Sequence, residues 1–444
     1  MLAPEANGSR LPTAADTDFD AIIVGAGVAG CTAAILLAQA GWSVAVVEKS
    51  EFPRRKVCGE CIAASNLPLL DALGIGEALD RFAGAPLQRV GLFVGNERVL
   101  APLPSFDHAA HAWGRALGRE HLDSLLLQRA RALGATVWQP WTLRAVDRDG
   151  DRHACRLHSA KGEESLMLHA PVVIDAHGSW EPDPTGGEPL RSPRRNSDLF
   201  AFKGNFRNAD LDSDLLPVLA FPGGYGGMVL AGDGVLTVAC CIRRDTLHAL
   251  RAAMPGAKAA AAVDAHLQAS CLGVRDALRG AQVHDAWLSV GPIRPGIRSP
   301  APAPGRFAIG NAAGEAHPIL GEGISMAIQS AWLLCERLIV EETALRAHGE
   351  PRASANARVA LDYAHAWRQH FVARIRLAAV FSQLAMRPSG ARVLLPMLRR
   401  WPGLLTRGAR LGGKTRCAVP AVAVSSLGNQ GYRSAAISRH QETR

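Results

Sequence analysis

Residues 21–50 alternate two kinds of apolar pattern. AIIV (21–24) is an unbroken apolar run closed by Gly25, as in a strand buried on both faces of a parallel sheet. After Gly30 the segment CTAAILLAQAG has helix-forming composition and stops at Gly41, a natural helix terminator. SVAVVE then alternates and ends on an acid, which predicts a second strand. A second run of the same kind spans residues 306–331, RFAIGNAAGEAHPILGEGISMAIQSA: an apolar strand, a turn carrying Gly310, Asn311, Pro318, Gly321 and Gly323, then an apolar helix. Residues 198–243 alternate as short strands with glycine turns. Beyond residue 350 helical segments continue, interrupted by Pro388, Pro396 and Pro402.

Each glycine of the first turn has a physical role. Gly25 permits the tight turn, Gly27 lets the backbone approach a diphosphate, and Gly30 lets helix and strand pack closely. The helix N-terminus adds unpaired N–H groups and a partial positive charge. Glu48, 18 residues past Gly30 with Lys49 beside it, stands where a carboxylate can accept from ribose hydroxyls, which favours FAD or NAD over NADP. The 306–331 turn offers a second helix N-terminus beside a polar side chain, a candidate second anion seat.

With 444 residues, 48% of them hydrophobic, the chain is expected to form two or three domains sharing a large core. No uninterrupted apolar run reaches the roughly 18 residues of a membrane span, and MLAPEANGSRLPTAADTD lacks the apolar core of a signal peptide. The expectation is a cytoplasmic protein with a disordered leader over 1–18. Nine scattered cysteines fit a reducing compartment, and the Cys58/Cys61 pair has no partner pair or histidines at zinc spacing, so no metal site is expected. Charge is uneven: residues 1–362 carry 35 basic and 39 acidic side chains, whereas 363–441 carry 13 Lys and Arg and no acid. That tail reads first as a solvated helical face and second as a peripheral membrane contact; no nucleic-acid motif accompanies it.

On these residues the chain resembles the FAD-dependent oxidoreductase superfamily containing the p-hydroxybenzoate-hydroxylase-like monooxygenases, the geranylgeranyl reductases and the flavin-dependent halogenases. Its GDAAxxxxPxxGxG motif is matched by Gly310, Ala312, Ala313, Pro318, Gly321 and Gly323, with Asn311 where aspartate is usual. The resemblance implies that Asn311 accepts from a ribityl hydroxyl and that the Gly323 and Ile324 N–H groups face the flavin pyrimidine. It implies too that Arg119, in the RxxLDxxLxxxA helix, lies against the dinucleotide. VVIDAHGSW is similar to the second conserved segment, with His177 replacing its acid; no second GxGxxG follows a strand, so no separate nicotinamide domain is expected.

FPRRKVCGECIAASN resembles the cysteine-glycine segment that passes near the flavin in the reductase branch. Cys58 is thereby a candidate proton donor, with Arg54, Arg55 and Lys56 placed to lower its pKa, or else a buried small hydrophobe. FPGGYGG resembles the segment leaning over the ring, making Phe221 and Tyr225 pocket walls or core aromatics. His317 is the candidate ionisable group beside the ring, or a surface-loop histidine.

The fold implied is α/β: a Rossmann-like FAD-binding domain (glutathione-reductase-like, p-hydroxybenzoate hydroxylase type) over 19–83, 115–185 and 296–345. An antiparallel β-sheet substrate domain (84–114 and 186–295) is inserted, and a basic helical region (346–444) follows. The activity implied is an NAD(P)H-dependent monooxygenase that uses O2 and a flavin C4a-hydroperoxide on an aromatic, polyketide-derived or lipid-like substrate. The alternatives are a reductase of isoprenoid or polyene double bonds, a halogenase, whose WxWxIP motif is absent, and a flavin-binding protein without turnover.

Overall fold

The computed structural model describes residues 17–178 and 195–419. Most of the expected leader, residues 179–194 and the last part of the tail lie outside the described residues.

Five parallel strands form the first sheet, in the order Arg306–Ala308, Val172–Asp175, Ala21–Val24, Val44–Val47, Thr136–Trp138. Ala21, Ile23, Val44 and Val46 face a layer of helices, while Ile22, Val24, Ala45 and Val47 face the antiparallel meander Trp141–Asp149, Arg152–Ser159, Ser165–Ala170. Burial on both faces is why AIIV reads as continuous rather than alternating. The helix layer holds Val28–Gln39, Arg119–Ala132 and Gly323–His348. By length and composition Gly323–His348 is long and apolar enough to cross a membrane, although polar residues break its apolar run. Here 67% of its most apolar stretch is buried, against the other core helices.

The second sheet has seven strands, ordered Gln282–Ile293, Leu199–Arg207, Leu236–Arg243, Gly224–Leu230, Leu215–Phe221, Arg89–Val94, Glu97–Pro102. It corrects the expectation of a purely antiparallel sheet, because Arg89–Val94 runs parallel to Leu215–Phe221. The two segments are joined through the first sheet and its helices, and alternation in sequence carries no information about strand direction. Along Leu199–Arg207 the period of two sorts the side chains. Phe202 and Phe206 pack under the helices Ala259–Ser270 and Leu272–Ala277, while Leu199 and Ala201 point to the opposite face, together with Tyr225 and Cys241.

The helix Arg352–Met386 lays Val359, Tyr363, Trp367, Phe371 and Ile375 into the first core, and Tyr363 O–H donates to the Ala308 carbonyl at 2.8 Å. A solvated basic face describes Arg368 and Arg376, which are exposed, but not Arg374, which is 2% exposed and pairs with Glu322. Pro396 does not interrupt the helix Pro388–Arg400 but lies inside it, whereas Pro388 and Pro402 mark helix starts.

Candidate functional site

The first glycine turn is built by close contacts. Gly25 has φ +106°, and a Cβ there would lie 2.6 Å from the Ala176 carbonyl oxygen. A Cβ on Gly30 would lie 1.8 Å from the Gly25 oxygen. Gly27 differs: its φ is −75°, and the nearest atoms to a Cβ are Arg119 Nη2 at 3.7 Å and Arg54 Nη2 at 3.9 Å. Backbone packing therefore requires glycine at 25 and 30, while at 27 it leaves a gap rimmed by two guanidinium groups. The helix starting at Val28 has no side-chain cap and no acid in its first turn, so its N–H groups stay available.

Charge around this gap favours an anion. Arg119 holds Asp123 with two bonds of 2.8 Å, and its guanidinium interacts electrostatically with the Cys58 thiol. Arg54 reaches Glu48 at 3.3 Å and Asp123 at 3.7 Å. Lys56 is the third cation; burial, then repulsion from Arg119 and Arg54, pushes its ammonium down to about 8. Glu48, 5% exposed, accepts from the Ala26 N–H and the Ser50 N–H, each at 2.9 Å, while Lys49 is exposed beside it. An open glycine, a helix N-terminus and a strained group of cations fit the diphosphate of a dinucleotide.

At the second turn Gly310 has φ +58° and donates its N–H to Ser330 Oγ at 2.8 Å. The half-buried Asn311 donates Nδ2 to Glu315 at 3.3 Å, and its carbonyl accepts from Arg298 at 2.7 Å. Gly321 is left-handed at φ +63°, and nothing lies within 4 Å of a Cβ on Gly323, which begins the helix that buries Ile324. This helix end too has no side-chain cap, so a planar acceptor can approach its N–H groups. The residues at both turns fit FAD.

The structure brings Tyr225 and His317 together. Tyr225 Oη lies 3.1 Å from His317 Nδ1, and Tyr225 is 1% exposed. Burial raises the phenol well above its usual range and pushes the imidazole down to about 4, so both are neutral at neutral pH. Cys58 is placed beside Arg119 and not beside the Tyr225–His317 pair: its sulfur accepts from the Glu60 N–H at 3.4 Å, and the guanidinium it feels is that of Arg119. Arg55 turns instead to Asn205 Oδ1 at 2.8 Å and Asp285 at 3.4 Å. Phe221 is a core aromatic, packed 5.6 Å from the His266 ring on the helix-covered side.

One buried cluster escaped the sequence reading. Glu60, 2% exposed with φ +56°, pairs with the fully buried Lys203 and accepts from Thr237 Oγ1 at 2.6 Å and the Arg119 N–H at 2.8 Å. Asn205 donates to Thr237 at 2.9 Å. A cavity of 290 Å³ lined by Glu60, Asn205, Thr237, Phe82 and His121 opens beside it. The available signal was Lys203 and Asn205, two polar residues on one face of an otherwise apolar strand.

Residues 18–185 match the family of FAD binding domains. The chain is 32% identical over 160 residues to the tryptophan 2-halogenase of Chondromyces crocatus, covering 35% of this chain and 30% of that protein, so the match spans under a third of the relative's length. It is 24% identical over 426 residues to the menaquinone reductase of Mycolicibacterium smegmatis, covering 90% of this chain and 92% of that protein. Among solved structures, CmlS, a flavin-dependent halogenase, superposes with TM-score 0.68 at 22% identity over 95% of this chain and 78% of its own.

Proposed function

We propose that this chain, whose residues 18–185 match the family of FAD binding domains, is an FAD-dependent oxidoreductase that reduces a carbon–carbon double bond of an isoprenoid or other lipid-like substrate. The carrying observation is the buried Tyr225–His317 pair, an uncharged proton donor backed by a neutral histidine. The match to a menaquinone reductase over nine tenths of both chains supports a lipid-like substrate.

When bound, FAD supplies the hydride and is recharged by NAD(P)H. Arg54, Lys56, Arg119 and the Gly27 helix N-terminus would hold its diphosphate, and Glu48 would take a ribose hydroxyl. The Asn311 side chain would hydrogen-bond a ribityl hydroxyl, and the Gly323 and Ile324 N–H groups would hold the pyrimidine end. Tyr225 Oη would give its proton to the carbon of the double bond that does not take the hydride. His317 would restore the tyrosine proton from Nδ1 as it gains one from solvent at Nε2, which leaves a neutral tyrosine and the Nε2–H tautomer of the histidine, and proton exchange with solvent then returns the Nδ1–H form.

The test is anaerobic. Holoprotein reduced by NAD(P)H is mixed with a polyprenyl quinone, and flavin reoxidation should accompany a product heavier by two hydrogens, one of them exchanged in deuterated solvent. A product gaining oxygen, formed only when O2 is admitted, overturns this reading in favour of monooxygenation. Access to a lipid substrate involves an anionic membrane, met by the exposed Arg368, Arg376 and Val380 of the helix Arg352–Met386. Flotation with phosphatidylglycerol vesicles, and none with phosphatidylcholine, is the expected result.

A further inference from the structure

After the helix Gly403–Leu411 the chain returns to the second glycine turn, and one side chain fixes it there. Gln329, fully buried, donates Nε2 to the Arg416 carbonyl at 3.1 Å and accepts the Ala418 N–H on Oε1 at 3.2 Å. Ala418 and Val419 then enter the first core. The docked segment packs Gly412 against Leu320 and Gly413 against Glu322; a Cβ on Gly413 would lie 2.5 Å from Glu322 Oε2. Lys414 follows. Its Nζ lies 3.7 Å from Cys61 Sγ and 3.0 Å from where a Gly321 Cβ would be. It thus bridges the cysteine-glycine segment and the Gly321–Gly323 turn.

The local charge does not cancel. Glu322 carries one buried carboxylate, raised by burial and held down by Lys414 and Arg374. Arg374 Nη1 lies 3.4 Å from it, so two cations share one anion at the start of a helix whose end already carries partial positive charge. A group that gains negative charge at Gly323 is favoured over its neutral form.

We propose that Lys414, delivered by the Gln329-clamped segment, sets the reduction potential of the bound flavin by stabilising the reduced form's negative charge at the pyrimidine. This rests on the reading that the ring lies at Gly323. Lys414 acts through its field and its grip on the turn; it is a positioning residue, not a proton donor. The sequence placed it in the basic tail, where nothing marked it from its neighbours.

The experiment is an anaerobic reductive titration of holoprotein against a reference dye, beside the affinity for oxidised FAD. Lys414→Met should bind oxidised FAD at the wild-type stoichiometry while its affinity for reduced FAD, relative to oxidised, falls about tenfold, a drop of about 30 mV for the two-electron couple. Lys414→Arg should restore the wild-type potential. Should the methionine variant not fold, Lys414→Gln, of similar length and polarity, is read in the same way. An unchanged potential with flavin bound overturns the proposal, and so does a drop that arginine fails to reverse, since the role is then steric. Failure of the wild-type protein to bind FAD instead sinks the placement of the ring.

Discussion

Gly27→Val separates the role of a glycine in binding from its role in folding. Gly27 has an ordinary φ of −75°, and the first atoms a Cβ meets are ends of flexible guanidinium groups at 3.7 and 3.9 Å. The apoprotein therefore loses only the weak N-cap preference for glycine, about 1 kcal/mol. FAD loses far more, because the valine methyls fill the gap through which a phosphate approaches the helix N-terminus. Losing one charge-assisted hydrogen bond there costs about 1.5–3 kcal/mol, or roughly 10- to 150-fold in affinity. Gly30→Ala is the control: its Cβ falls 1.8 Å from the Gly25 oxygen, with backbone on both sides, and at least 1.2 Å of separation is needed to reach 3.0 Å. That variant should lose tertiary structure and flavin together. Visible flavin absorbance per chain after desalting, read beside near-ultraviolet circular dichroism and a thermal melt, distinguishes the two. A native-like Gly27→Val protein with full flavin would refute the placement of the diphosphate.

Three further outcomes follow from buried charge. His317 titrates at about 4 in the folded chain against 6.5 unfolded, so the unfolded state binds the extra proton between those values. Stability is therefore full above pH 6.5 and falls towards pH 4, by about 3 kcal/mol from this group. Urea titrations at pH 7 and 4.5 should show His317→Asn losing less than wild type; equal losses count against the burial argument. Lys56, at about 8 in the free protein, must stay protonated to hold the diphosphate, so FAD affinity should decline above pH 8 by up to about tenfold per pH unit. Lys56→Met should give a flat profile in fluorescence-quenching titrations, and a wild-type profile flat to pH 9.5 contradicts the role. Lys203→Met strands the Glu60 carboxylate and should cost about 3–5 kcal/mol, most of it recovered by adding Glu60→Gln. Melting temperatures of the single and double variants check this, and equal destabilisation rejects the pair.

Both glycine turns were legible because their constraints are local. The clash of a Gly30 Cβ with Gly25 and the left-handed φ of Gly25 arise within a few residues, so sequence spacing carries them. Resemblance marked Tyr225 and His317 separately as candidates beside the ring, and their hydrogen bond across 92 residues appears only in the structure. Three features were not legible for one reason: the deciding partner is remote. Lys203 reads as a stray polar residue until Glu60, 143 residues away, meets it. Arg374 reads as tail charge until Glu322 does, 52 residues back. Phe221 and Tyr225 share a strand pair, and only the neighbours of each face show one under the helices and the other beside His317.

The remote contacts are also those that join the two halves of the molecule. Glu60 takes its N–H bond from Arg119 on the dinucleotide side and its charge partner from Lys203 on the seven-stranded sheet, so one carboxylate is held from both. Its left-handed backbone, uncommon for a residue with a side chain, fixes Cys58 and Arg119 relative to that sheet. A buried ion pair is a poor source of stability compared with packed apolar groups, and the joining of Glu60, Lys203, Thr237, Asn205 and Arg119 at this one junction is better explained by geometry than by binding energy. The glycine turns can be specified by each segment alone. The angle between cofactor and substrate layers cannot, and in this chain a few buried charges drawn from distant segments set it.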